Sequence, residues 1–120
     1  MREINHHIDT FGAADVEITC DDIDPKAGGA SHHYQIKIGD VTVGSVDFQH
    51  GPRGTDGKLT GAIEAALAAI LVDRLECFQS GPLPHESNER ALNHFRTGLD
   101  ILRSRTVERK ARGVLGTNKA

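Results

Sequence analysis

Residues 63–88 read IEAALAAILVDRLECFQSGPLPHESN, and this stretch decides the fold. Ile63, Leu67, Ile70, Leu71, Leu75 and Phe78 fall at i, i+4, i+7, i+8, i+12 and i+15. That is one continuous apolar stripe on a helix of about five turns. Ala62, Ala65, Ala66, Ala68 and Ala69 favour the helix by propensity and permit close approach of a neighbour. Gly81-Pro82 and Pro84 then end it. A second helix is predicted from about Glu86 to about Arg112. Leu92, Phe95, Leu99, Leu102 and Thr106 form its stripe, and Gly113 stops it. So short a connection makes the two helices antiparallel neighbours, an αα-hairpin.

The first half carries the other period. Val16, Ile18 and Cys20 alternate with Glu17, Thr19 and Asp21, as in a half-buried strand. Residues 22–31, DIDPKAGGAS, make a loop by their Asp, Pro and Gly content. Tyr34, Ile36 and Ile38 alternate with His33, Gln35 and Lys37, and Gly39-Asp40 suits a two-residue hairpin turn. The returning strand, Val41 to Phe48, changes its apolar parity at Gly44, which marks a bulge. Residues 51–60 form a polar, Gly-rich loop. Ahead of Asp15 both a short strand and a mobile arm fit. The expected class is therefore α+β, a small antiparallel β-sheet followed by a C-terminal antiparallel helical hairpin.

A chain of 120 residues suits one domain. Within residues 1–120 the sheet region covers about 1–50, the hairpin about 60–113 and a tail 114–120. Aromatic residues are 4% of the chain and Trp is absent, so the core must be aliphatic and Ala-rich. A thin core of this kind points to a homo-oligomer. Cys20 and Cys77 stand far apart in sequence and outside any C-x-x-C pair, so they read as reduced structural thiols. The polar, acidic start does not read as a signal peptide. The longest apolar run, Ala65 to Val72, is far too short to span a bilayer. Residues 101–120 hold six basic side chains against one acid, while the other hundred carry a net charge of −8. A basic end on an acidic body suggests a local anion site and argues against broad binding to a nucleic-acid backbone.

No residue pattern supports catalysis, a resident cofactor or a metal. His6-His7 and His32-His33 are adjacent pairs, and neighbours on a strand point to opposite faces. His50, His85 and His94 lack carboxylates at ligand spacing, and no phosphate-binding loop or hydrolase motif occurs. Arg105 and Arg109 are more informative. Four residues apart, they share one helical face. They can grip adjacent phosphates, or merely compensate the helix dipole. Phe78 at the rim of the hairpin can cap the core or stack on a purine. Asn88 can cap the second helix or read a polar base edge. Asn88 and Arg105 lie 17 residues apart on one helix, which is about 25 Å at 1.5 Å per residue. One subunit cannot bring both to one small ligand, whereas two hairpins packed antiparallel can.

The segment 71–117 contains DRLECFQSGP, then N-x-x-AL, then RTVERKARGV-x-GT. It resembles the helical hairpin of the phage Thoeris anti-defence proteins of the first-described type, a hairpin shared with a phage anti-CBASS sponge. VDFQHGP, residues 46–52, is similar to the strand and loop ahead of that hairpin. The resemblance covers roughly the last 75 residues and leaves the first 30 unplaced. It implies a phage-encoded binding protein acting in the host cytoplasm, not an enzyme. Such proteins sequester isomers of glycocyclic ADP-ribose, the messenger of Thoeris immunity. Some form hexamers as trimers of dimers and take cyclic di- and trinucleotides at separate sites.

By position in these motifs, Phe78 matches the aromatic residue that would stack on adenine. Asn88 matches the residue that would bond a base or ribose edge. Arg105 and Arg109 match the pair that would hold the pyrophosphate. Arg53, in the loop after VDFQHGP, is the candidate for the second, cyclic-oligonucleotide site. This chain departs from its relatives at His85-Glu86, at Leu115 and in carrying Pro84 within the turn, all of which bear on pocket shape. The alternatives to a sponge are a nucleic-acid-binding module built on the basic helix end and an interaction module that needs no nucleotide.

Overall fold

The computed structural model describes residues 1–7, 15–26, 28–49 and 63–113. Four strands come first, β1 (Arg2–Ile4), β2 (Val16–Cys20), β3 (His33–Ile38) and β4 (Val41–Asp47). Two helices follow, α1 (Glu64–Ser80) and α2 (Glu86–Ala111). The strands make one antiparallel sheet in the order β1-β2-β3-β4. The α+β class and the element order are those expected. The contacts divide the chain into two units, the sheet within residues 1–62 and the helices within residues 63–115.

Of the two possibilities ahead of Asp15, the strand is found. β1 pairs with β2, Arg2 opposite Cys20 and Ile4 opposite Ile18. The β3–β4 hairpin turns at Gly39-Asp40. Gly39 has φ +58°, while no non-glycine residue among those described has a positive φ. This is the pattern of a type II′ turn, whose twist matches the strands it joins. The change of parity in β4 is a bulge. Ile36 pairs with Gly44 but Lys37 with Thr42, so Val43 is the extra residue. Tyr34 and Phe48 meet edge to face at 5.5 Å.

Polar groups tie down the loop between β2 and β3. The Asp21 carboxylate accepts the backbone N–H groups of His32 (2.9 Å) and His33 (3.1 Å). Ser31, which is buried, donates to the Asp21 carbonyl and accepts from Arg2. The bond from His33 N–H is the main reason that the Asp21 carboxyl is held below its ordinary value. His33 Nδ1 is also paired with the Asp47 carboxylate.

The helices form the expected hairpin, but the packed face of α1 differs from the apolar stripe. The half-buried positions of α1 are Ala65, Leu67, Ala68, Val72, Leu75 and Gln79. Leaving out Leu67, they recur at spacings of three and four, the seam of a two-stranded coiled coil. On α2, Asn88, Leu92, Leu99, Leu102 and Arg109 occupy the corresponding seam. Ile70, Leu71 and Phe78 lie outside it, Ile70 with 62% of its surface exposed. Small residues let the helix axes approach, so the alanine face packs and the bulkier face stays out. The hydrophobic core among the described residues is correspondingly thin: Cys20, Leu92 and Leu99 are buried.

Candidate functional site

The turn end of the hairpin begins at Gly81 as expected, while His85 supplies the cap of α2 and Gln79 the brace between the helices. α1 ends at Gly81, whose backbone is extended rather than left-handed and whose N–H bonds to Phe78 O. A Cβ there would lie 3.3 Å from Cys77 O, a tight contact that glycine avoids. α2 is capped by His85, whose Nδ1 accepts the Ser87 N–H at 3.0 Å. Gln79 braces the two helices. Its carbonyl oxygen accepts the His85 N–H at 2.9 Å and its amide nitrogen donates to Glu89 at 3.3 Å. Farther along, Arg96 of α2 bonds Glu76 of α1 at 3.1 Å.

These contacts leave Asn88 out of the capping role. It is the third residue of α2, not its cap, and its amide makes no hydrogen bond among the described residues. An amide in the first turn with both ends unused can bond a ligand edge. Phe78 is likewise not a core residue of this hairpin. The residue is 46% exposed, and the Arg74 guanidinium lies 5.0 Å from its ring centroid. One face of the ring is thereby occupied by a cation, an arrangement that the i, i+4 spacing makes available.

Arg105 and Arg109 stand at the other end. They line an open cavity of about 100 Å³ between the start of α1 and the last turns of α2. Ile63, Ala65 and Leu102 supply its apolar walls, and Glu64 and Thr106 its remaining polar groups. The basic side chains of α2 are not equivalent. Arg103 is paired with Asp100 at 3.5 Å, and Arg112 is paired with Glu108. Arg105 has no carboxylate partner among the described residues, and it lines the cavity rather than pairing along its own helix. Thr106 donates its hydroxyl proton to Leu102 O at 3.2 Å, which leaves its oxygen to the cavity as an acceptor.

Within one hairpin, then, Phe78 and Asn88 lie at the turn and Arg105 and Arg109 at the open end. The four residues are not brought together in one chain. Arg53 falls outside the described residues. Sequence reasoning missed Glu64 and Thr106, which reach the cavity by tertiary approach and by neighbouring Arg105. It also missed Arg74, which its distance of four residues from Phe78 offered. Among the described residues no group of His, Cys, Asp and Glu side chains is placed to hold a metal ion, and no helix is long and apolar enough to cross a membrane.

No protein-family model matches the chain. A curated relative does. The chain is 33% identical over 92 residues, 77% of its own length, to "Thoeris anti-defense 1" of Bacillus phage SBSphiJ7. The match spans 64% of that relative's length. The resemblance to phage Thoeris anti-defence proteins carried by the hairpin motifs thus has the support of an alignment over most of the chain.

Proposed function

We propose that this protein is a phage anti-defence sponge that captures signalling nucleotides without cleaving them. Its ligands are glycocyclic ADP-ribose isomers, the messengers of Thoeris immunity, and it acts in the host cytoplasm as a homo-oligomer. One observation carries this reading beyond the similarity to a protein named for Thoeris anti-defence. The groups at the two ends of the hairpin fall into two complementary sets. At the turn are a half-exposed aromatic ring and an amide without a partner. At the open end are a carboxylate-free guanidinium and a second arginine in one cavity. A base stacks on the first set, and a pyrophosphate is held by the second.

The two sets lie about 25 Å apart along α2, by the helix rise from Asn88 to Arg105. A composite site across two antiparallel hairpins, the turn of one beside the open end of the other, removes that difficulty. The exposed Ile70 and Phe78 on the outer face of α1, with a core so thin, favour such an assembly. A second site for cyclic di- and trinucleotides, with Arg53 in it, is a further part of the proposal.

Calorimetry with cyclic ADP-ribose isomers and a panel of cyclic di- and trinucleotides tests the reading. Reversible binding is expected, with ligand recovered intact after the protein is denatured. Hydrolysed ligand would replace the sponge by an enzyme, and silence toward the whole panel would end the nucleotide reading. The composite site has its own test. Co-assembly of Phe78→Ala subunits with Arg105→Ala subunits restores part of the binding if the site is shared, and none if each subunit binds alone.

A further inference from the structure

We infer that Glu64 reads the ribose of the captured nucleotide, accepting hydrogen bonds from its hydroxyls while Arg105 and Arg109 hold the phosphates. The inference rests on the sponge reading above and adds a residue and a selectivity to it. Glu64 opens α1, and its side chain lines the same cavity as the two arginines of α2. Arginine and glutamate that share a wall ordinarily close on each other in a charge-assisted pair. Here they do not. Glu64 makes no ion pair or hydrogen bond among the described residues, and neither does Arg105 with any carboxylate, whereas Arg112 of the same helix closes on Glu108. A carboxylate on one helix and a guanidinium on the other therefore face a common space with both left open.

The chemistry of the cavity selects the occupant. An ionised carboxylate is an acceptor only, and the Thr106 oxygen is an acceptor as well once its proton is given to Leu102 O. The arginines are donors only. A bare anion such as inorganic pyrophosphate satisfies the arginines but meets repulsion from Glu64. A pyrophosphate joined to ribose offers anionic oxygens to the arginines and hydroxyl protons to Glu64 and Thr106. Glu64 and Arg105, both open in the hairpin, are then both paired. The competing role for Glu64 is the one any first-turn acid can play, favourable interaction with the N-terminal end of the helix dipole.

The test is calorimetry on the full chain with cyclic ADP-ribose, its monodeoxyribose analogues and inorganic pyrophosphate. The wild type should bind at least one deoxy analogue less well than cyclic ADP-ribose. Glu64→Gln should bind cyclic ADP-ribose about tenfold less well, the loss expected for one hydrogen bond to a charged group. It should no longer distinguish that deoxy analogue, and it should bind pyrophosphate better. Glu64→Asp retains the charge at the helix start but withdraws the acceptor. It should melt as the wild type does and yet lose the ribose preference. Cyclic ADP-ribose bound by Glu64→Gln as tightly as by the wild type, or an undiminished deoxy discrimination in either variant, overturns the assignment. Arg105→Ala separates the two failures. If it loses cyclic ADP-ribose while Glu64→Gln does not, only the ribose role falls. If it too binds normally, the ligand does not sit in this cavity, and if the wild type itself binds none of these compounds, the sponge reading falls.

Discussion

In the sheet, Asp21 takes the N–H groups of both His32 and His33, Ser31 is bonded on two sides, and His33 is paired with Asp47. In the hairpin, the Asn88 amide, the Arg105 guanidinium and the Glu64 carboxylate have no such partners among the described residues. Both regions are polar and both are largely exposed, so composition does not separate them. What separates these particular groups is whether each is already matched. A matched group holds the fold, because losing one partner leaves the other wanting. An unmatched group at a cavity rim is available to something else. Substitution of the matched groups Asp21, Ser31 and His33 should then reduce stability, and substitution of Asn88, Arg105 and Glu64 should reduce binding.

The largest effect should come from the one place where the hairpin has a true core. Leu92 is 2% exposed and sits on the seam of α2. Leu92→Ala should cost about 2–5 kcal/mol, the range for a buried leucine truncated in a packed core. Urea unfolding followed by circular dichroism measures it. With so few buried side chains, a loss of that size would leave little folded hairpin, and a cost under about 1 kcal/mol would mean that the seam is not where the helices hold together.

Next in size is the effect that distinguishes binding from stability. Arg105→Ala should weaken cyclic ADP-ribose binding by about tenfold to a hundredfold, the loss of hydrogen bonds to a charged group. It should leave the melting temperature almost unchanged, because no described carboxylate depends on Arg105. Asp47→Asn in the sheet should do the reverse, with binding kept and stability lowered. If both substitutions moved stability alone, the contrast between matched and unmatched groups would lose its functional meaning.

The hairpin also shows what a sequence can and cannot disclose. The β3–β4 hairpin was legible because alternation, the Gly39-Asp40 turn and the slip at Gly44 are local signals, and each appears in the structure where its residues put it. The two helices were legible for the same reason. Which face of α1 packs was not. The large residues Ile63, Ile70 and Phe78 dominate any apolar count, yet the seam runs through Ala65 and Ala68 because close approach rewards small side chains. The cap of α2 was misplaced among its choices. Asparagine outranks histidine as a cap in general, but here Gln79 fixes the His85 backbone and brings His85 into the capping position. At the candidate site, Phe78, Asn88, Arg105 and Arg109 could be singled out from motif and spacing. Glu64 could not, since 41 residues of chain separate it from Arg105 and only the return of α2 along α1 places it in the same cavity.

The smallest expected effect concerns the ring that the turn end presents. Arg74 lies over one face of Phe78 at 5.0 Å, one helical turn away. At an exposed site such a contact contributes about 0.5–1 kcal/mol. A nucleobase that stacks on Phe78 must therefore use the opposite face, with Arg74 holding the ring in place from behind. Arg74→Gln removes the cation but leaves the ring, and it should weaken cyclic ADP-ribose by no more than about fivefold, within the free energy of that one contact. Phe78→Ala removes the platform and should lose more, since stacking of a base on an aromatic side chain contributes about 1–3 kcal/mol. Calorimetry on the two variants side by side orders them. A larger loss from Arg74→Gln than from Phe78→Ala would mean that the guanidinium itself touches the ligand, and the turn end would then carry a cationic site of its own instead of a platform braced by a cation.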